Sequence, residues 1–91
     1  MKEFDERVAR QLGRRVRRRR HFLDYSQETL AERAGIHRTQ ISLYEKGERM
    51  PLTATLVRLA AALDVSVDQL LVGIEWVVPD VDRAEGDDDD A

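Results

Sequence analysis

Arg38, Thr39, Gln40, Ser42 and Lys46 fall within the stretch 38–46, with His37 immediately before it and Arg49 shortly beyond. Amides, hydroxyls and cations at this density are the groups that bond to base edges and phosphate oxygens. They are not a set for covalent chemistry. The chain has no cysteine, no glycine-rich phosphate cradle and no nucleophile with a suitable base beside it, so an enzyme is not expected. His21 and His37 lack acids or cysteines at ligand spacing, so neither a metal nor a cofactor is expected. What these residues can do is bind.

They can bind together only if one element presents them on one side. Ser26 offers an N-cap to a short helix over Gln27–Ala34, with Glu28 in its first turn. Gly35 stops that helix, because glycine takes the left-handed conformation a C-terminal turn requires, and Ile36 follows as an apolar residue in the turn. A second short helix is predicted from about Arg38 to Lys46, ending at Gly47. There Ile41 and Tyr44 are the apolar positions able to face a core, which leaves Arg38, Thr39, Gln40, Ser42, Leu43 and Lys46 wholly or partly outward. Two short helices joined by a glycine-containing turn have the spacing of a helix-turn-helix. In that arrangement the first helix braces against the nucleic-acid backbone and the second offers one face to the major groove.

The rest of the chain supplies the scaffold. Phe4, Val8, Leu12 and Val16 recur at every fourth position, which predicts one long first helix from Phe4 to Phe22. Within it arginine fills Arg14 to Arg20 except for Val16, as either a solvated face or a phosphate-binding stripe. Pro51 breaks the chain, and Leu56, Leu59, Ala60 and Leu63 mark a fourth helix. Ser66 and Gln69 form a candidate capping box for a fifth helix carrying Val67, Leu70, Leu71 and Ile74. Trp76, Val77 and Val78 extend the apolar character beyond it, either to cap the core or to meet a second copy. The fold expected is all-α: five short helices around one aliphatic core, since aromatic residues make up only 5% of the chain.

The whole-chain net charge of -3 conceals two opposite segments. Residues 1–73 hold all but one of the lysines and arginines and carry a balance of +4, whereas residues 74–91 carry -7. A basic body suits a nucleic-acid partner, and the acidic end is a separate feature. The expected organisation is a single domain over 1–78, with the helix-turn-helix at 27–46, and an acidic tail over 79–91. Four consecutive aspartates and little to bury predict disorder in that tail. The charged start, Met1 to Arg7, has no signal-peptide core, and no apolar run is long enough to span a bilayer, so no membrane association is expected and the cytoplasm is the expected compartment.

Taken together, Leu12-Gly13, Arg17–Arg20, Ser26–Ile36, Arg38–Gly47, Arg49, Pro51, Thr55-Leu56, Leu59-Ala60, Ala62-Leu63 and Ser66–Leu71 resemble the lambda-repressor/Cro-like helix-turn-helix family, also called the XRE family. The resemblance runs without a gap over roughly residues 10–73. It implies a five-helix DNA-binding domain in which Gln27 opens the second helix with its amide on a phosphate or neighbouring base. It further implies that Arg38, Thr39 and Ser42 read bases, that Gln40 and Lys46 touch backbone or bases, and that Arg49 clamps a phosphate. Arg20 and Glu45 stand where the family commonly joins an arginine to a glutamate, a structural pair. The pattern is broken at His37, where Ser, Thr or Asp usually caps the recognition helix, so His37 either contacts DNA or only occupies the turn. It is broken again at Leu52, which replaces a cap and leaves Thr53 as a start one residue later. Leu43 either touches a thymine methyl or fills space.

The function these readings imply is sequence-specific binding to double-stranded DNA by a transcriptional regulator. A repressor that meets a pseudo-palindromic operator as a homodimer is the simplest form. The competing reading is an antitoxin or a subunit of a larger assembly, with a protein partner for the Trp76 segment and the acidic tail.

Overall fold

The computed structural model describes residues 5–79. Five helices follow one another: α1 Glu6–Phe22, α2 Gln27–Ala34, α3 Arg38–Glu45, α4 Thr53–Ala62 and α5 Val67–Leu71. No strand occurs among the described residues, in keeping with the all-α expectation. Phe4, the first member of the predicted stripe, and the tail beyond Pro79 lie outside the described residues.

Asp5 starts α1 by accepting a hydrogen bond from the Arg7 backbone N–H at 2.8 Å. Leu12 and Val16 from the predicted stripe are fully buried, and Val8 is half-buried. They meet Leu30 of α2, Ile41 of α3, Leu59 of α4 and Leu63 just past α4 in one aliphatic core. Each of these side chains is worth about 1.5–3 kcal/mol in burial, which makes this cluster the main source of cohesion.

The ends of the helices show most of the expected chemistry. Ser26 Oγ accepts from the Thr29 N–H at 3.0 Å to cap α2, and Gly35 closes it with φ +71°. The Ser66–Gln69 capping box is formed in both directions. Three boundaries differ from expectation. The first helix begins at Glu6 and not at Phe4, because Asp5 takes an extended conformation and serves as its N-cap. The fifth helix ends at Leu71 and not at Ile74, because Val72 turns extended and Gly73 adopts φ +82°. Ile74 still packs against the core from outside the helix. The fourth helix is not capped by Thr53: Leu52 holds the N-cap position and supplies no side-chain hydrogen bond.

Arginines cover the carbonyls at three helix ends. Arg58 donates from Nε to the Ala34 carbonyl at 3.0 Å and from its terminal nitrogen to the Gly35 carbonyl. Arg19 Nε donates to the Leu63 carbonyl at 2.9 Å, and Arg15 donates to the Leu70 carbonyl at 3.2 Å. A cation at the carbonyl end of a helix satisfies orphan acceptors and complements the helix dipole. Arg14, Arg17 and Arg18 stay exposed while Arg20 is buried. The arginine run is therefore not a single face: Arg15, Arg19 and Arg20 reach partners within the fold, and Arg14, Arg17 and Arg18 point to solvent.

Candidate nucleic-acid interface

Helix α3 has an inner and an outer side. Ile41, Tyr44 and Glu45 are buried, as the core-facing reading of Ile41 and Tyr44 required. Arg38, Thr39 and Lys46 are exposed, and Gln40, Ser42 and Leu43 are half-buried. Thr39, Ser42 and Lys46 follow a three-then-four spacing, and Arg38 stands four before Ser42, so these side chains share one outward stripe. The sequence grouping of these residues is reproduced in space.

The beginning of α3 is held by His37 itself. Its Nδ1 accepts from the Thr39 N–H at 3.1 Å and lies 2.6 Å from the Thr39 hydroxyl. An accepting Nδ1 performs the task of a Ser or Asp cap and leaves Nε2 as the N–H of the neutral ring. The departure from the usual residue type is thus repaired by another acceptor at the same place. At the other end, exposed Arg49 comes 3.5 Å from the Gln40 Oε1. Gln40 and Arg49, expected as separate contacts, are neighbours across the turn that follows α3.

The inner side is anchored to α1. Arg20 grips Glu45 in a fork, Nε to Oε2 at 2.6 Å and the terminal nitrogen to Oε1 at 2.9 Å, and donates to the Tyr25 carbonyl at 2.9 Å. Both side chains are nearly sealed from water, at 10% and 4% exposed. In such surroundings a bidentate pair fixes orientation more than it adds net stability. Gln27 joins this cluster: its Nε2 donates to Glu45 Oε1 at 3.1 Å. The amide expected to face DNA is here tied to the pair that sets the angle of α3. Gly13 permits the close contact between α1 and α3, since a Cβ there would run into the carbonyl oxygens of Tyr44 and Glu45.

Sequence reading singled out Arg14 and Arg17 within the arginine run but did not join them to Arg7 and Arg10. Arg7, Arg10, Arg14 and Arg17 are spaced three, four and three apart on α1, and all are exposed. A Cβ at Gly47 would lie 2.6 Å from Cγ of Arg10, so this stripe abuts the turn that carries Lys46 and Arg49. The helical spacing was visible in the sequence, but the contact with Gly47 was not.

This geometry is shared with known proteins. A family model described as helix-turn-helix matches residues 16–70. The chain belongs to the helix-turn-helix family. Among its relatives is the control protein C.SmaI of Serratia marcescens, 47% identical over 60 residues, a match covering 66% of this chain and 71% of that one. It spans less of other curated relatives, 59% and 50% of two of them. Two solved structures of the family superpose well. The restriction-modification controller protein C.AhdI from Aeromonas hydrophila is 34% identical with a TM-score of 0.67, over 68% of this chain and 94% of that one. The P22 c2 repressor, solved in complex with a synthetic operator, is 37% identical with a TM-score of 0.65, over the same shares. The lambda-repressor-like resemblance read from the sequence is borne out.

Proposed function

We propose that this helix-turn-helix protein represses transcription by binding a pseudo-palindromic operator as a homodimer. That it is a DNA-binding transcriptional regulator follows from its family. The observation that carries the finer reading is the division of α3, with Ile41, Tyr44 and Glu45 inward and Arg38, Thr39, Ser42 and Lys46 outward. In this reading Arg38, Thr39 and Ser42 meet base edges, and Gln27, His37, Gln40, Lys46 and Arg49 meet phosphates or adjacent bases, with Gln27 also steadied through Glu45. The domain occupies residues 1–78 and the acidic tail 79–91. In this reading the role is non-catalytic and is exercised in the cytoplasm.

The dimer reading rests on the segment after α5. Val72, Trp76, Val77 and Val78 are 67%, 53%, 72% and 59% exposed, so they do not cap the core of one copy. Pairing two modules roughly doubles the contacts to DNA and matches two-fold protein symmetry to a two-fold site. Selection of duplexes from a random library tests the whole reading. An inverted repeat should be enriched; a sequence without two-fold symmetry would remove the dimer, and no enrichment at all would remove specific binding.

A further inference from the structure

The exposed arginine stripe on α1 has two neighbours that suggest what it receives. At 1.5 Å per residue, Arg7 to Arg17 extend about 15 Å along the helix. Gly73 lies beside Arg15, with its hypothetical Cβ 3.1 Å from the guanidinium, and Trp76 lies beside Arg7, with its ring centroid 4.9 Å away. The chain after α5 therefore runs back along α1 towards its N-terminal end. Pro79, the last described residue, follows three positions after Trp76, so residues 80–91 leave from a segment whose Trp76 already lies on Arg7, the first member of the stripe. At Arg10 the stripe touches Gly47, next to Lys46.

Residues 80–91 contain Asp80, Asp82, Glu85 and Asp87 to Asp90 against the single cation Arg83. Fully extended they reach about 40 Å, more than twice the length of the stripe. Among the described residues no carboxylate is paired with Arg14 or Arg17. Guanidinium groups accept carboxylates and phosphates with the same charge-assisted geometry. A tethered carboxylate segment also acts at an effective concentration of about millimolar, which favours its contact over that of a free anion of equal affinity.

We propose that residues 80–91 lie along Arg10, Arg14 and Arg17 and displace phosphates from the stripe and the adjoining Lys46–Arg49 turn, so that the chain carries its own competitor for DNA. The competition rests on the DNA-binding reading above; the contact between tail and stripe does not. Surface ion pairs of this kind are screened by salt, so the competition weakens as ionic strength rises.

The experiment compares the full chain with a variant whose seven tail acids are neutralised (Asp→Asn at 80, 82 and 87–90, Glu85→Gln). The first readout needs no DNA: the arginine Nε–Hε signals in a nuclear magnetic resonance spectrum. Those of Arg10, Arg14 and Arg17 should differ between the two proteins at about 0.05 M salt and converge by about 0.5 M, where the screening length shrinks to a few ångströms. The second readout is affinity for a selected duplex, expected to rise about tenfold on neutralisation at low salt and by much less at high salt. With Arg14→Gln and Arg17→Gln also present, the gain should shrink to about twofold or less. Unchanged arginine signals would overturn the contact. An equal gain with and without the two arginines would also overturn it, as an effect of net charge alone. Failure of both proteins to prefer any duplex would sink the operator reading, while the arginine signals still decide the tail.

Discussion

The inner and outer sides of α3 use similar side chains in opposite ways. On the inner side Glu45 is enclosed by Arg20 and Gln27, and each polar contact is made to another part of the same chain. On the outer side Arg38 and Lys46 are exposed, and the Thr39 hydroxyl meets the neighbouring His37 ring. A buried charge must be matched within the protein, whereas an exposed one keeps water until a ligand displaces it. The contrast teaches that the inner side sets where α3 points and the outer side sets what it reads. The two properties should therefore separate under mutation.

The largest effect should follow from cutting the inner side. Glu45→Ala leaves the Arg20 guanidinium buried with only the Tyr25 carbonyl, a loss of about 3–5 kcal/mol. Urea unfolding checks it, and the figure is a large share of the roughly 5–15 kcal/mol that holds a domain together. Replacing both partners with apolar residues, Arg20→Met with Glu45→Leu, should recover most of that stability. If the single change costs under about 1 kcal/mol, the ion pair is not what enforces the inner side, and the contrast between the two sides fails.

Cutting the outer side should leave stability alone. Arg38→Ala or Thr39→Ala should shift unfolding by no more than about 0.5 kcal/mol, the usual range for exposed positions. Either should instead reduce discrimination between the selected operator and single-base variants by about 1–3 kcal/mol, and only at the base it contacts. Lys46→Ala and Arg49→Ala serve as the reference, since phosphate contacts should weaken every duplex alike and lower the salt slope by about one. Binding titrations at several salt concentrations separate the two patterns. Uniform losses from all four changes would show that the outer side carries no division between base and phosphate contacts.

Local signals in the sequence located the outer side better than they located its supports. Ser26, Gly35, the Ser66–Gln69 box and the spacing of Leu56, Leu59, Ala60 and Leu63 act over a few residues, and each was legible. The inward turn of Ile41 and Tyr44 followed from helical periodicity alone. Arg20 with Glu45 came from the family pattern and not from spacing. What stayed hidden acts across the fold: Arg19 meets the end of α4, Arg15 the end of α5 and Arg58 the end of α2. A run of arginines does not reveal which carbonyls lie opposite, because that depends on how the helices pack. Gln27 was hidden for the same reason, since its partner lies on another helix. His37 was obscured differently: residue type suggested a missing cap, while ring geometry supplies one through Nδ1.

The smallest expected effect uses α4, which has no part in either side of α3. Leu52 occupies its N-cap in an extended conformation, φ -69° and ψ 163°, and its side chain offers no acceptor to the first turn. Its side chain is 78% exposed, so removing it forfeits little packing. Leu52→Ser would place a hydroxyl where Ser26 and Ser66 already cap α2 and α5 in similar backbone geometry. The expected gain is about 1 kcal/mol, seen as a higher urea midpoint with an unchanged slope. Base preference should not move, because α3 remains fixed by Glu45 and Gly13. A change in base preference with this variant would mean that helix stability elsewhere in the domain reaches the reading face, and that the inner side of α3 does not isolate it.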